Sequence, residues 1–201
     1  MKFITFEGIE GCGKSTQAKK LHEFFLAQNR QAILTREPGG SATGEVIRNV
    51  LLSEEFPKLE AKSEVFLNFA ARIEHVEKII KPALATKKFV ICDRFFDSTY
   101  AYQSAGFGVD EKIIDEARKL AIGDFKPDIT FLIDVPVDVA FARIEGREGN
   151  NRYEKLGRDF HQKVRDGFLK IAAKDLRVKL INGSKNQQEV QQEILKQITN
   201  L

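Results

Sequence analysis

A glycine-rich segment near the start of the chain has the residue types and spacing of a phosphate-binding loop. It runs from Gly8 to Ser15 and reads Gly-Ile-Glu-Gly-Cys-Gly-Lys-Ser. In the pattern Gly-x-x-x-x-Gly-Lys-Ser, glycines let backbone N–H groups turn toward phosphate oxygens, and the following helix adds the positive end of its dipole. Lys14 would then reach the β- and γ-phosphates, and the Ser15 hydroxyl would bind Mg²⁺.

The flanking sequence distinguishes this loop from a simple glycine turn. An apolar run at residues 3–6 precedes it and a helical pattern follows it, which is the strand–loop–helix context that the motif requires. We therefore expect the chain to bind a nucleoside triphosphate. The expected contacts are Gly8, Ile9, Glu10, Gly11, Cys12, Gly13, Lys14, Ser15 and Thr16.

An aspartate and an arginine follow another apolar run further along the chain. Residues 88–92 predict a strand, and Asp93 and Arg94 come directly after it. An aspartate at such a strand end can hold Mg²⁺ directly or through water. An arginine beside it can bind a phosphate through two parallel hydrogen bonds. The alternative is a strand-end turn with a surface ion pair, and the phosphate-binding context argues against it.

Three arginines crowd a glycine-containing segment in the second half of the chain. Arg143, Arg147 and Arg152 are interspersed with Gly146 and Gly149. Glycines give such a segment mobility, and arginines give it charge that can close over a phosphate chain, as in a catalytic lid. The alternative is a solvated basic loop. The absence of arginine from the phosphate loop favours the lid, because the positive charge must come from elsewhere.

A long helical pattern carries an aromatic face and a guanidinium. Phe69 and Arg72 are three residues apart and therefore lie on one face of the helix. Such a pair can stack on a nucleobase and bind its edge. The alternative, that the aromatic residues are core, stays open at this point, because most aromatic residues in helices are buried for packing alone.

Five short apolar runs predict strands, and helical patterns separate them. The predicted strands are residues 2–7, 32–35, 88–92, 129–134 and 178–181. The predicted helices are residues 16–28, 43–52, 60–84, 97–104, 110–122 and 153–174, a helix opened by Pro136, and a last helix with a capping box at Ser184 and Gln187. This alternation predicts an α/β fold, with a five-stranded parallel sheet and helices on both faces. Ligands in such sheets bind beyond the carboxyl ends of the strands.

Length and composition narrow the class of protein. The 201 residues, 42% of them hydrophobic, fit one domain over residues 1–201, with a small lid at about residues 143–154. No apolar run approaches the ~20 residues that span a bilayer, and no signal-peptide pattern is present. These features, and the expectation that Cys12 and Cys92 are unpaired thiols, predict a cytoplasmic protein without a membrane partner. The 32 basic and 29 acidic residues are too balanced to indicate a nucleic-acid partner.

The order of the motifs resembles the bacterial thymidylate kinase family. After the phosphate loop come Thr-Arg-Glu-Pro-Gly-Gly at residues 35–40, Asp-Arg-Phe at residues 93–95 with Ser98, Ala101, Tyr102 and Gln103, and Lys-Pro-Asp at residues 126–128. The combination of the second and third motifs is highly specific, and the similarity runs from residue 3 to the C-terminus. The resemblance implies a P-loop nucleoside-monophosphate kinase that acts as a homodimer. It would transfer a phosphoryl group from ATP to dTMP with Mg²⁺, in dTTP synthesis.

The resemblance also implies roles for individual residues. Lys14, Arg94, Arg147 and Arg152 would be catalytic, the last two as lid arginines of the bacterial type. Ser15 and Asp93 would hold Mg²⁺.

On the acceptor side, Glu10 would meet the sugar 3′-hydroxyl and Tyr102 would pack under the sugar and disfavour a ribose. The remaining substrate contacts would be Arg36 and Arg94 on the monophosphate, Arg72, Thr99 and Gln103 around the base, and Glu37 and Arg48 near the acceptor.

Two positions depart from the family pattern. The family usually has Phe four residues before the base-reading arginine, where this chain has Asn68 followed by Phe69. We expect Phe69 to take over the stacking role, unless the base pocket is altered. The lid usually carries Asp before its second arginine, and this chain has Asn151 there, which weakens any ion pair within the lid.

Two other functions are alternatives to dTMP phosphorylation. One is a kinase of the same fold that acts on another nucleotide or nucleoside. The other is a nucleotide switch of the GTPase type, which needs a guanine-reading Asn-Lys-x-Asp, and that string does not occur in the sequence. The sequence therefore favours a small-molecule kinase.

Overall fold

Five strands form one parallel sheet in the computed structural model, which describes residues 2–145 and 152–198. They are β1 (Phe3–Glu7), β2 (Ala32–Arg36), β3 (Phe89–Asp93), β4 (Ile129–Asp134) and β5 (Val178–Asn182). Their order across the sheet is β2-β3-β1-β4-β5, and every pairing is parallel. The predicted α/β fold and its five strands are confirmed.

Helices separate the strands along the chain. They are α1 (Lys14–Ala27), α2 (Ala42–Leu52), α3 (Ala61–His75), α4 (Lys81–Ala85), α5 (Phe96–Thr99), α6 (Glu111–Ile122), α7 (Val137–Ile144), α8 (Arg158–Lys174) and α9 (Gln187–Ile198). A π-helical turn, Val76–Ile80, joins α3 to α4, and a second π-helical segment, Tyr100–Gly106, follows α5. In the part of the chain described here, none of the helices has the length and apolarity to cross a membrane.

The core lies on both faces of the central strand β1. All five of its residues are buried. Ile4 and Phe6 belong to one apolar cluster with side chains of α1 and α9, whereas Phe3 belongs to a second cluster with Ile80 and Phe95. Since neighbouring residues of a strand point to opposite faces, this division places packed elements on each side of the sheet.

Two predicted element boundaries were wrong. The helix expected from residue 153 begins only at Arg158, because residues 152–156 form turns and Gly157 is the extended residue before the helix. The last helix is capped by Asn186, not Ser184: Asn186 Oδ1 accepts the N–H groups of Gln188 and Glu189, and Glu189 Oε2 accepts the N–H of Asn186. This is a reciprocal capping box two residues later than expected.

Candidate active site

The phosphate loop is held tightly between β1 and α7. Gly11 has φ +76°, and a Cβ built there would lie 2.3 Å from the Ala140 carbonyl oxygen of α7. Only glycine combines this left-handed conformation with so close an approach. Gly13 (φ +97°) then precedes α1, whose first turn begins at Lys14. The loop therefore presents the N-terminus of α1, a favourable place for an anion, at the carboxyl end of β1.

Lys14, Ser15 and Asp93 meet at this end of the sheet. Lys14 Nζ is buried and donates a 3.3 Å hydrogen bond to the Ile9 carbonyl. The Ser15 hydroxyl donates to Asp93 Oδ2. Asp93 Oδ1 is also buried, and it has no hydrogen-bond partner in the described residues. A hydroxyl and a carboxylate oxygen beside a phosphate loop are the hard oxygen ligands that Mg²⁺ takes together with phosphates and water. The residues present therefore fit the ion.

An open cleft of about 820 Å³ joins the phosphate loop to the residues expected on the acceptor side. Its lining includes eleven of the expected site residues, namely Glu10, Lys14, Ser15, Arg36, Glu37, Arg48, Asp93, Arg94, Thr99, Tyr102 and Gln103. Asn68, Tyr153 and Glu154 also line it. The sequence-based selection thus converges on one concave surface at the carboxyl ends of the strands.

Three arginines, Arg36, Arg48 and Arg94, line the cleft. Arg36 pairs with Glu45 at 3.0 Å, and Arg48 donates a 2.8 Å hydrogen bond to the Pro38 carbonyl. Burial, and then the charge of Arg36, lower the pKa of Arg48. Like charges that face one cleft repel each other and favour a bound anion.

Arg94, Glu10 and Tyr102 form a closed hydrogen-bonded triangle in the cleft. Arg94 donates to Glu10 Oε1 at 2.9 Å and to the Tyr102 hydroxyl at 3.0 Å, and that hydroxyl donates to Glu10 Oε2 at 2.5 Å. Burial alone would raise the pKa of Glu10, but Arg94 and Lys14 bring it below its ordinary value. Burial raises the pKa of Tyr102 well above its ordinary value. Glu10 is therefore a carboxylate and Tyr102 a neutral hydroxyl near neutral pH.

A second buried network lies behind the cleft. Arg72 on α3 is 2% exposed, and its Nε donates to Glu37 Oε2 at 2.7 Å. It also donates a 3.3 Å hydrogen bond to the Thr99 hydroxyl. His75 Nδ1 lies 2.9 Å from Glu37 Oε1 and completes the carboxylate's partners. Arg72 is not part of the cleft lining, but it contacts Glu37 and Thr99, which are.

Glu64 links the cleft to the segment that follows the expected lid. Its carboxylate is 2% exposed and accepts hydrogen bonds from the Gln103 amide at 2.9 Å and the Tyr153 hydroxyl at 2.6 Å. Arg152 also pairs with it. Arg147 and Asn151 lie outside the described residues, whereas Arg143 lies on α7 and donates a 2.9 Å hydrogen bond to the Gly183 carbonyl.

The structure does not bring Phe69 to the cleft. Phe69 is 3% exposed and packs in a small cluster with Val65, Ile114 and Ala117. Successive positions on a helix point about 100° apart, and it is Asn68 that lines the cleft. The role of stacking on a base, which we expected for Phe69, has no support from its position.

Sequence reasoning missed several residues that the fold brings to this site. Glu64 and Tyr153 anchor the network just described, and His161 on α8 lies against the triangle. His161 Nε2 is 3.1 Å from the Tyr153 carbonyl, and its Nδ1 is 3.4 Å from Glu10 Oε2. Since a carbonyl only accepts, Nε2 carries the proton in this arrangement. None of these residues belongs to a motif, and all three lie inside predicted helical patterns, so the sequence carried no signal for them.

Comparison with known proteins places this geometry in a family. The family model described as thymidylate kinase matches residues 6–194. Thymidylate kinase from Geotalea uraniireducens (strain Rf4) is 45% identical over 94% of this chain and 92% of its own length. That from Wolbachia pipientis wMel is 45% identical over 98% of this chain and 100% of its own.

A solved structure agrees with these sequence matches. The crystal structure of thymidylate kinase from Ehrlichia chaffeensis superimposes with a TM-score of 0.79 and 41% identity, over 98% of both chains. A phosphate loop at the carboxyl end of β1, an arginine-lined cleft and matches over nearly the whole chain all agree: this chain belongs to the thymidylate kinase family.

Proposed function

We propose that this chain transfers the γ-phosphoryl group of ATP to dTMP and so forms dTDP and ADP, the step that leads toward dTTP. One observation carries the assignment of the site. Arg36, Arg48 and Arg94 line the same cleft as Lys14 and Ser15 of the phosphate loop. A monophosphate held by the arginines would therefore face a triphosphate held by the loop, as transfer between them requires.

On the donor side, the backbone of residues 8–16 cradles the ATP phosphates and Lys14 neutralises charge on the β- and γ-phosphates. Ser15 and Asp93 would hold Mg²⁺, which supplies charge neutralisation between the phosphates. The orphaned Asp93 Oδ1 supports this assignment.

On the acceptor side, Arg36 and Arg94 hold the dTMP phosphate, with Arg48 nearby. Glu10, kept ionised by Arg94 and Lys14, accepts the sugar 3′-hydroxyl. The ring of Tyr102 packs under the sugar, where an added 2′-hydroxyl would clash. The 2.5 Å hydrogen bond from Tyr102 to Glu10 supports a shared sugar site.

Around the base, Gln103 and Thr99 provide polar contacts from the cleft wall. Arg72 does not line the cleft and acts indirectly, through its hydrogen bonds to Glu37 and Thr99. Asn68 takes the wall position at which the family usually has an aromatic ring. The base pocket of this chain is therefore more polar on the α3 side than the family pattern.

The protein's contribution to the chemistry is alignment and charge. A dTMP phosphate is already ionised at neutral pH and needs no side-chain base to attack the γ-phosphate. Arg94 fixes the acceptor oxygen, and Lys14 stabilises charge that spreads over the equatorial oxygens during transfer.

Arg147 and Arg152 are the proposed lid arginines, within a lid at about residues 143–154 of a single domain, residues 1–201. In the structure Arg152 pairs with Glu64, which itself binds Gln103 of the base pocket. This link supports a lid that senses the occupied base site.

A panel of acceptors tests the proposal. ADP release from Mg-ATP is measured with dTMP, dUMP, UMP, AMP, GMP and thymidine, and we expect the highest kcat/KM with dTMP. The Lys14→Ala variant, prepared and assayed in parallel, measures the background ADP release that comes from contaminating kinases. A flat panel, or a preference for AMP, GMP or thymidine, would refute dTMP as the substrate while leaving the family and fold intact. The comparison of kcat/KM for dUMP and dTMP, which differ by the thymine methyl group, reports whether the polar wall at Asn68 weakens the preference for that methyl group.

Two further proposals concern the protein in the cell. Its homodimeric state is inferred from the family, and apolar side chains exposed on α2 and α3 support it, namely Val46, Phe66 and Ile73. A cytoplasmic location fits the two buried, unpaired thiols Cys12 and Cys92, since free thiols persist in reducing compartments.

A further inference from the structure

Glu7, the last residue of β1, is a buried acid whose two oxygens both reach the segment that carries Arg94. It is 1% exposed. Its Oε1 accepts the Phe95 backbone N–H at 2.7 Å, and its Oε2 accepts the Ser98 hydroxyl at 2.6 Å. Both partners lie just beyond Arg94 in the chain, so one carboxyl fixes the turn on the C-terminal side of this arginine.

The backbone of Arg94 needs such support. Its φ is +71°, a left-handed conformation that is unfavourable for a non-glycine residue. The Arg94 N–H donates to the Phe6 carbonyl at 2.9 Å, and the next N–H, of Phe95, donates to Glu7. Residues 6 and 7 of β1 thus hold two consecutive amides of the strained turn.

The same carboxyl also reaches the guanidinium through one intermediate. Arg94 Nη1 donates to Ser98 Oγ at 3.1 Å and to the Gly8 carbonyl at 3.0 Å. Since Ser98 in turn donates to Glu7, the chain of hydrogen bonds runs from the guanidinium through the hydroxyl to the carboxyl. Glu7 therefore acts on both ends of Arg94, its backbone and its charged head.

Burial disfavours the ionised form of Glu7. Burial, and then the charge of Asp97, raise the pKa of Glu7 to about 8. An apolar residue would fill the end of a buried strand without this penalty. The acid is therefore better explained by what it holds than by packing.

We propose that Glu7 is a positioning residue for the acceptor phosphate, which it serves only by fixing the orientation of Arg94. The inference rests on the proposed function, because it takes Arg94 as a ligand of the dTMP phosphate. Glu7 itself is covered by the turn and does not belong to the cleft lining.

A double-mutant cycle separates this role from a merely structural one. Glu7→Met removes both acceptors at similar side-chain length, and Kd for dTMP is measured by phosphorus NMR titration in the wild-type and Arg94→Ala backgrounds. We expect Glu7→Met to weaken binding about tenfold in the wild-type background, as for loss of buried hydrogen bonds. In the Arg94→Ala background we expect less than about a twofold change, because the residue through which Glu7 acts is gone.

Conservative variants keep the test decisive. Glu7→Gln retains an acceptor for the Phe95 N–H, and we expect its Kd to lie between wild type and Glu7→Met. If circular dichroism shows that Glu7→Met does not fold, Ser98→Ala replaces it in the same cycle: it breaks the link between Glu7 and the guanidinium and leaves the Glu7–Phe95 hydrogen bond in place. Equal losses in both backgrounds, or an unchanged Kd in the wild-type background, would overturn the inference.

Failure of the proposed function would look different. If wild-type protein does not bind dTMP, or Arg94→Ala binds it as tightly as wild type, the acceptor role of Arg94 is wrong. If Arg94→Ala alone weakens binding and the cycle shows no coupling with Glu7, the proposed function stands and only the positioning role is lost.

Discussion

The ammonium group of Lys14 is buried at the phosphate loop with a long hydrogen bond, 3.3 Å, to the Ile9 carbonyl. An ammonium has three donors, so the fold leaves this cation with capacity for phosphate oxygens. We expect Lys14→Ala to keep less than about a tenth of wild-type kcat/KM. Its melting temperature should stay within a few degrees of wild type, since no core packing is lost.

Lys19 on the same helix provides the matched control. Its side chain is 71% exposed and pairs only loosely with Glu23, at 3.9 Å. We expect Lys19→Ala to retain wild-type turnover in the ADP-release assay. A Lys14→Ala variant as active as Lys19→Ala would show that Lys14 does not contact the phosphates.

Phe69 and Asn68 are neighbours on α3 with opposite surroundings. Phe69 is enclosed by Val65, Ile114 and Ala117, so we expect Phe69→Ala to lower the free energy of unfolding by about 3–5 kcal/mol. Asn68→Ala should instead weaken dTMP binding about two- to tenfold, the range for one lost hydrogen bond. Urea unfolding and calorimetric titration of each variant measure the two effects. If Phe69→Ala instead weakened dTMP binding and left the free energy of unfolding unchanged, Phe69 would be the residue that contacts the base.

Glu7 gives the fold a pH dependence whose sign follows from its pKa. The pKa is about 8 in the folded protein, against an ordinary 4.5, so the folded state binds this proton more tightly than the unfolded chain. The contribution of Glu7 to the free energy of unfolding is therefore fully present below pH 4.5 and falls as pH rises toward 8. We expect a loss of about 1 kcal/mol per pH unit between pH 5.5 and 7.5.

Glu7→Gln isolates this contribution because an amide does not titrate. Urea unfolding at pH 5.5, 6.5 and 7.5 should give a shallower dependence for the variant than for wild type. Parallel curves would mean that Glu7 ionises in the fold as it does in the unfolded chain.

At the scale of elements, the contact between the phosphate loop and α7 can be tested with two glycines. Gly11 and Gly108 have similar left-handed φ angles, +76° and +80°. A Cβ at Gly11 would lie 2.3 Å from the Ala140 carbonyl, whereas at Gly108 it meets nothing within 4 Å. Gly108→Ala therefore carries the conformational strain alone, roughly 1–2 kcal/mol.

We expect Gly11→Ala to destabilise the protein more than Gly108→Ala and to weaken ATP binding at least about tenfold. The added methyl group must push the loop away from α7, which displaces the N–H groups that face the phosphates. Thermal melts and titration with a fluorescent ATP analogue report the two effects. Equal ATP affinities in the two variants would mean that the loop tolerates the displacement.

Sequence periodicity found the five strands because each is a short apolar run bounded by turns. It could not find the π-helical segments, because the side-chain pattern of one widened turn is too short to differ from that of an α-helix. The start of α8 was misplaced for a related reason. Tyr153 and Leu156 are apolar enough to continue a helical pattern, yet they pack from turns.

The residues of the site also divide into those that the sequence indicated and those that it did not. Lys14, Ser15, Asp93 and Arg94 follow strands or belong to a motif, and the structure brings all four to the cleft. Glu64 and His161 lie inside ordinary helical patterns, and only tertiary packing places them beside Gln103 and Glu10. The stacking role expected for Phe69 rested on three-residue spacing, which fixes which residues share a helix face but not which face meets the cleft.

At the scale of the whole molecule, α3 carries Phe66 and Ile73 seven residues apart, with exposures of 58% and 39%. A helix face that remains apolar in the monomer is typical of a protein–protein contact. We expect light scattering to give twice the chain mass of 22.8 kDa for wild type, and the monomer mass for Phe66→Glu.

Leu176→Glu is the control for this experiment. Leu176 is 90% exposed but lies in the turn between α8 and β5, away from α3. We expect this variant to remain a dimer. If wild type is a monomer, the proposed dimer contact does not exist. If both substitutions dissociate the dimer, the contact is not confined to α3.

The position of β1 in the middle of the sheet has a consequence for how the chain reaches its fold. Of the five strands, β1 is synthesised first, yet its neighbour β4 lies 125 residues later, as the contact of Thr5 with Thr130 shows. Pairing two strands so far apart in the chain closes a long loop, and the chain loses conformational entropy before any stabilising contact forms. This makes folding slow. At a synthesis rate of about 5–20 residues per second, the apolar residues of β1 remain unpaired with β4 for seconds. We expect refolding in stopped-flow mixing to take milliseconds or longer, and a nascent chain that ends before β4 to depend on chaperones.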